Sequence, residues 1–193
     1  MANKIDIANL ALTMLGAEQI ASINDNSESA NKIRTVYESV RNAVFEEHPW
    51  NFASREVRLA PLADKPLRKF GFKYIKPEDC VRVNSLYDKD GNAIPPENYS
   101  VISNEIQCNE SSIILNYNTL VTDESEFSAL FVQAFATRLA FEICYGVTGS
   151  RTLMTDLWAL YQQKFQTGKT ANAKEDPYKN LNEFGDPWID ARF

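Results

Sequence analysis

The sequence predicts an α+β protein, mainly α. It reads as a four-helix bundle at residues 1–53 and 123–167, with a small antiparallel β domain inserted at 54–122 and an extended C-terminal arm at 168–193. Three observations predict this. Apolar residues recur at helical spacing up to Pro49 and again after Asp123. Between those points the period falls to two and tight-turn dipeptides appear. Beyond about Thr167 the periodicity ends although aromatic residues continue.

The first helix spans Asn3 to Leu15, with Ile5, Ala8, Leu12 and Leu15 on one face and Gly16 as its stop. A polar link, Ser22 to Ser29, leads to the clearest helix of the chain. There Ala30, Ile33, Tyr37, Val40 and Val44 alternate at intervals of three and four. From about Ser27 to His48 it would be roughly 33 Å long, with Lys32, Arg34, Glu38 and Arg41 on its wet or partner-facing side. Pro49 ends it, because an interior proline forfeits a helix hydrogen bond, and Trp50 and Phe52 follow at once. These two aromatics are expected to pin the helix end to what comes next.

The middle reads as one small sheet. Asp90-Gly91 separates Leu86-Tyr87 from Ala93-Ile94, and Ser103-Asn104 separates Tyr99–Ile102 from Glu105–Cys108, which predicts antiparallel hairpins. Asp123, with Glu126 three residues on, reads as the start of a third helix that carries Phe127, Leu130, Phe131, Phe135 and Leu139. Gly146 and Gly149 close it, and Ser150 opens a fourth helix through Leu153, Leu157, Leu160 and Tyr161 towards Gly168.

Composition narrows the function. No apolar run approaches the ~20 residues needed to cross a bilayer, and the first residues lack a secretory pattern, so no membrane role and synthesis in a cytoplasm are expected. A net charge of −6 is a poor match for gripping phosphates, though it suits a surface past which DNA must slide. Cys80, Cys108 and Cys144 are odd in number and without a CxxC pair, which argues against a disulfide framework and against zinc.

The chemical motifs fail in turn, and no cofactor, metal or catalytic residue is expected. Gly168-Lys169-Thr170 ends like a phosphate-binding loop, but Gln163 stands where that loop needs glycine, and the segment follows a helix instead of opening one. Asp88-Lys89-Asp90-Gly91-Asn92 resembles the start of a calcium loop with Ala93 at the obligatory glycine, so a hairpin turn is the better reading. His48 has no nucleophile in a suitable context, and at a helix end its imidazole suits the dipole. Glu46 and Glu47 are adjacent helical positions whose side chains diverge, a weak basis for a pair of glycosidic carboxylates.

The order of these signals resembles the head-to-tail adaptor family of tailed phages, the tail tubular protein A type of short-tailed phages. The resemblance covers most of the chain. It rests on Met14-Leu15-Gly16, on the helix through Arg41 to Glu47, and on Pro49-Trp50-Asn51-Phe52-Ala53. A second segment follows, Tyr74-Ile75-Lys76-Pro77-Glu78-Asp79-Cys80-Val81-Arg82-Val83, and then the aromatic helix Phe127 to Tyr145. Lys76 departs from the apolar residue that the pattern favours before this proline.

The resemblance implies a non-enzymatic virion protein, assembled in the host cytoplasm and placed at the tail or neck. It would form a homo-oligomeric ring, a dodecamer, between the portal protein and the tail tube or nozzle protein. DNA would pass through the lumen without specific binding. It also implies that the C-terminal segment reaches the portal, which makes Tyr178, Phe184, Trp188 and Phe193 the expected partner-binding residues beside the structural pair Trp50 and Phe52. Two other readings compete with the ring: a cell-wall hydrolase carried by a tail protein, and a free-standing helical binding module.

Overall fold

The computed structural model describes residues 2–67 and 69–175. The protein is of mixed α and β structure, with four α-helices and two small antiparallel sheets among the described residues. It divides into two units: one gathers Met1–Val44 with the chain from Asp123 onward, and the other is Phe45–Thr122.

In the helical unit, α1 (Lys4–Met14) starts with a reciprocal cap. The Asn3 side chain accepts from the backbone of Ile5 and Asp6, and the Asp6 carboxylate accepts from the backbone N–H of Asn3. Gly16, at φ +66, lets the chain leave through a left-handed turn that a side chain would strain. The link that follows is tied back by Asn9, whose amide group bonds both the N–H and the carbonyl of Ile20. Helix α2 (Glu28–Glu47) buries all five residues of its predicted stripe: Ala30, Ile33, Tyr37, Val40 and Val44. Arg41, expected on the wet side, is buried instead. The nearby Tyr37 hydroxyl donates to Glu124 at 3.2 Å, and burial followed by the Glu124 charge holds that phenol well above its usual range.

Helix α3 (Ala129–Thr148) starts later than the sequence reading placed it. Asp123 caps only a short 3-10 turn at Glu124–Glu126, and the true cap is Ser128, whose hydroxyl accepts from the N–H of Phe131. Gly149, at φ +66, closes the helix as expected. Both α1 and α4 pack along α3, and the Tyr37 ring of α2 meets Phe135 edge-on at 5.0 Å. Among the described residues α3 is also the one helix long and apolar enough to cross a membrane, contrary to the expectation that no run approaches that length. Half of that stretch is buried within the protein, the pattern of a core helix.

Helix α4 (Arg151–Glu175) continues through the first residues of the expected arm. Phe165 and Gly168 are buried, so residues 168–175 are helix and not arm. Tyr178, Phe184, Trp188 and Phe193 lie outside the described residues.

The β unit holds two sheets where the sequence suggested one. The first has the order β1 (Ser54–Leu59), β7 (Ile113–Thr119), β3 (Cys80–Tyr87), β4 (Ala93–Ile94). The second has the order β2 (Phe72–Ile75), β6 (Glu105–Cys108), β5 (Tyr99–Ile102). Both predicted hairpins form, with Leu86 opposite Ile94 and Ile102 opposite Glu105. The Asp88 carboxylate accepts from the backbone of Asp90 and Asn92 and from the Asn92 side chain, so the would-be calcium loop is a hairpin turn. These bonds, that of the Asn92 amide foremost, hold its pKa below the usual carboxylate range.

The sheets share one core, built from Tyr74, Ile106 and Cys108 of the second and Leu86, Ile113, Leu115 and Tyr117 of the first. Dividing the strands between two layers buries an inner face on each, which a single sheet of this size could not do. The Tyr74 hydroxyl donates to the Glu110 carbonyl, and burial pushes its pKa up to about 12. A raised phenol pKa means that the folded state favours the neutral form, a contribution complete below the unfolded pKa and lost as pH rises through the folded one. Wild type should therefore lose stability between about pH 10 and pH 12, and Tyr74→Phe should flatten that loss in alkaline denaturant melts.

Candidate functional site

The two sequence segments that carry the family resemblance meet in the β unit. The first begins where α2 stops. Pro49 interrupts the helix and Trp50 turns inward, only 1% exposed, before a 3-10 turn at Asn51–Ala53 feeds β1. His48 meets the indole edge-on at 4.9 Å, and Phe52 packs against Phe45 at 5.8 Å. The joint is thus an aromatic cluster of two edge-to-face pairs, a favoured arrangement, linked by the tilted contact of Trp50 with Phe52 at 6.3 Å.

The second segment is tied down by its carboxylate and its guanidinium. Asp79 accepts from the Thr119 hydroxyl at 2.7 Å and from the Tyr117 hydroxyl at 3.3 Å, while its carbonyl accepts from the N–H of Leu120. Burial, then the Asp79 charge, pushes the Tyr117 phenol up. Burial likewise raises the Cys80 thiol, which makes it a poor nucleophile at neutral pH. Arg82 donates to the carbonyl of Glu46 at 2.9 Å. That carbonyl is among the last of α2, where helix carbonyls lack intrahelical donors and the dipole favours a cation. One segment therefore caps the helix that leads into the other.

Asparagines complete the joint, and the sequence reading missed them. Asn118, fully buried, donates to the Trp50 carbonyl at 3.5 Å. Asn84 donates to the side-chain oxygens of both Asn116 and Asn118, at 3.0 and 2.6 Å. Asn116 donates onward to Glu56 and accepts from the Ser54 hydroxyl. Alternation of Asn116 and Asn118 with Leu115 and Tyr117 looks in sequence like the wet face of a half-buried strand. Burial of both faces of β7 is the feature that pattern could not signal.

Glu46 and Glu47 are exposed and point from adjacent helical positions. Among the described residues no group of three or more potential ligands is placed to hold a metal ion. A surface cavity of about 280 Å³ borders Asp88, Pro95, Asn98 and Glu110, but the Asp88 oxygens already serve its own turn. The chain matches no protein-family model, and no curated protein matches it significantly.

Proposed function

We propose that this protein is a head-to-tail adaptor, a structural subunit of a ring that joins the portal vertex of a phage head to its tail tube or nozzle. The supporting observation is the joint. Two segments that in sequence resemble the adaptor family fold onto one another through Arg82, Glu46, Asn118 and Trp50. In this reading the four helices pack as a bundle, the β unit is an insertion into it, and an arm beyond Glu175 reaches the portal through Tyr178, Phe184, Trp188 and Phe193. Twelve copies surround a lumen whose acidic character lets DNA pass without being held. The subunit is a monomer or weak oligomer until a portal ring templates it.

Electron microscopy of the purified protein mixed with portal rings tests the proposal directly. Ring density appearing only beneath the portal is the expected result, and particles that never associate would overturn it. The hydrolase alternative is tested by Glu46→Gln and Glu47→Gln. Zymograms on host cell wall should show no clearing by wild type, whereas clearing abolished by either change would establish an enzyme.

A further inference from the structure

The core of the β unit ends one strand short. Across the second sheet Tyr74, Ile106 and Val101 share a row, so their side chains project from one face. Tyr74 and Ile106 are fully buried, whereas Val101 is 41% exposed, because β5 is an outer strand and among the described residues no strand shelters its far side. Its backbone is equally unfinished. Ser103-Asn104 is a two-residue turn, so Ile102 and Glu105 exchange hydrogen bonds, and every second pair does likewise. The Asn104 carbonyl accepts from the N–H of Lys76 beyond β2, which fixes the same alternation along β6. Tyr99 and Val101 therefore turn their N–H and C=O groups away from β6 toward the open edge. The other sheet edges are blunted against strand addition. Strand β1 carries Arg55, Glu56 and Arg58, and β4 is two residues long. Strand β2 carries Lys73, whose outward carbonyl already accepts from the N–H of Leu62. By contrast β5, Tyr99-Ser100-Val101-Ile102, has no charge, no proline and no bulge.

We propose that β5 pairs with β5 of a second copy, antiparallel and about a two-fold axis at Ser100, joining the two second sheets into one. The strand's lack of charge selects that occupant. A charged strand would find no counter-ion along β5, and among described strands longer than two residues β5 is itself the one that is both uncharged and open at an edge. The register follows from the outward groups. With Tyr99 of each copy opposite Val101 of the other, every outward N–H and C=O of the strand finds a partner, and both inner faces lie on one side. Each Val101 then sits beside a tyrosine ring, an aromatic and β-branched pair that carries the core row across the axis. Ser100 meets its own copy in the closer, non-hydrogen-bonded kind of pair. A strand of four residues covers less surface than a durable dimer needs, so the pair is weak and forms at high concentration. The inference does not rest on the ring reading, and its test needs no portal.

Sedimentation equilibrium of the full-length protein tests the pairing, with Val101→Pro as the variant. The N–H of Val101 points outward, so proline removes a donor to the second copy and none to β6. Wild type should pass from monomer to dimer as concentration rises. The variant should need at least ~10-fold more protein, with its far-ultraviolet circular dichroism unchanged. Oxidative cross-linking tests the register independently. Ser100→Cys should give a disulfide-linked dimer, since facing Cα atoms in such a pair lie within bridging range. Ile102→Cys, more exposed on the same face, should give little, because the register holds its two copies apart. Wild type that stays monomeric at millimolar concentration, or Ile102→Cys linking as readily as Ser100→Cys, overturns the proposal. A dimer that survives Val101→Pro in a folded variant overturns it as well, since another surface would then hold the copies together. Should Val101→Pro unfold the sheet, the two cysteine variants decide alone.

Discussion

Trp50→Ala should lower stability by about 3–5 kcal/mol, the range for emptying the site of a large buried aromatic. The loss has more than one source. Removing the indole leaves a cavity, strips His48 and Phe52 of a ring neighbour, and loosens the stretch whose carbonyl receives Asn118. Phe52→Ala should cost less, because that ring is only half-buried. Urea melts followed by tryptophan fluorescence and far-ultraviolet circular dichroism would measure both. An alanine variant that melts like wild type yet fails to join portal rings would place the residue at an interface and remove it from the structural role.

Deleting residues 176–193 should abolish attachment to portal rings while leaving the rest of the chain folded. The cut belongs after Glu175 and not after Gly168, because α4 carries Phe165 and Gly168 into the core. Aromatic anchors at interfaces commonly contribute 2 kcal/mol or more each on truncation. With Tyr178, Phe184 and Trp188 all gone, a contact repeated around a ring would lose its effect at every copy at once. Co-sedimentation with portal rings reads the attachment, and circular dichroism per residue reads the fold. Undiminished attachment would show that the segment is not the portal-binding element.

Much of the architecture was legible because it is written in local periods. The stripe Ala30 to Val44, the hairpins at Asp90-Gly91 and Ser103-Asn104, and the glycine stop at Gly149 depend on spacing and on backbone freedom, both visible in sequence. The later start of α3 was hidden by two competing caps, Asp123 and Ser128, of which only tertiary packing selects the second. The extension of α4 was hidden because Gly168 lowers helix propensity and reads in sequence as a stop, although it lies buried within the helix. The joint was half legible. Trp50 announced itself by size and position, whereas Asp79, Arg82 and Asn118 act through partners 36 to 68 residues away along the chain.

The pairing of β1 with β7 bears on how such a chain acquires its fold. The helical unit is drawn from two stretches, and the whole β unit intervenes between α2 and α3. Bringing the ends of so long an intervening stretch together costs conformational entropy that would slow the meeting of α1 with α3. Yet Ser54 lies opposite Asn118, so once the β unit folds, its entry and exit strands run side by side. During synthesis the β unit can thus close the gap before α3 emerges. The late helices then complete a short connection, and the insertion becomes a clasp rather than an obstacle.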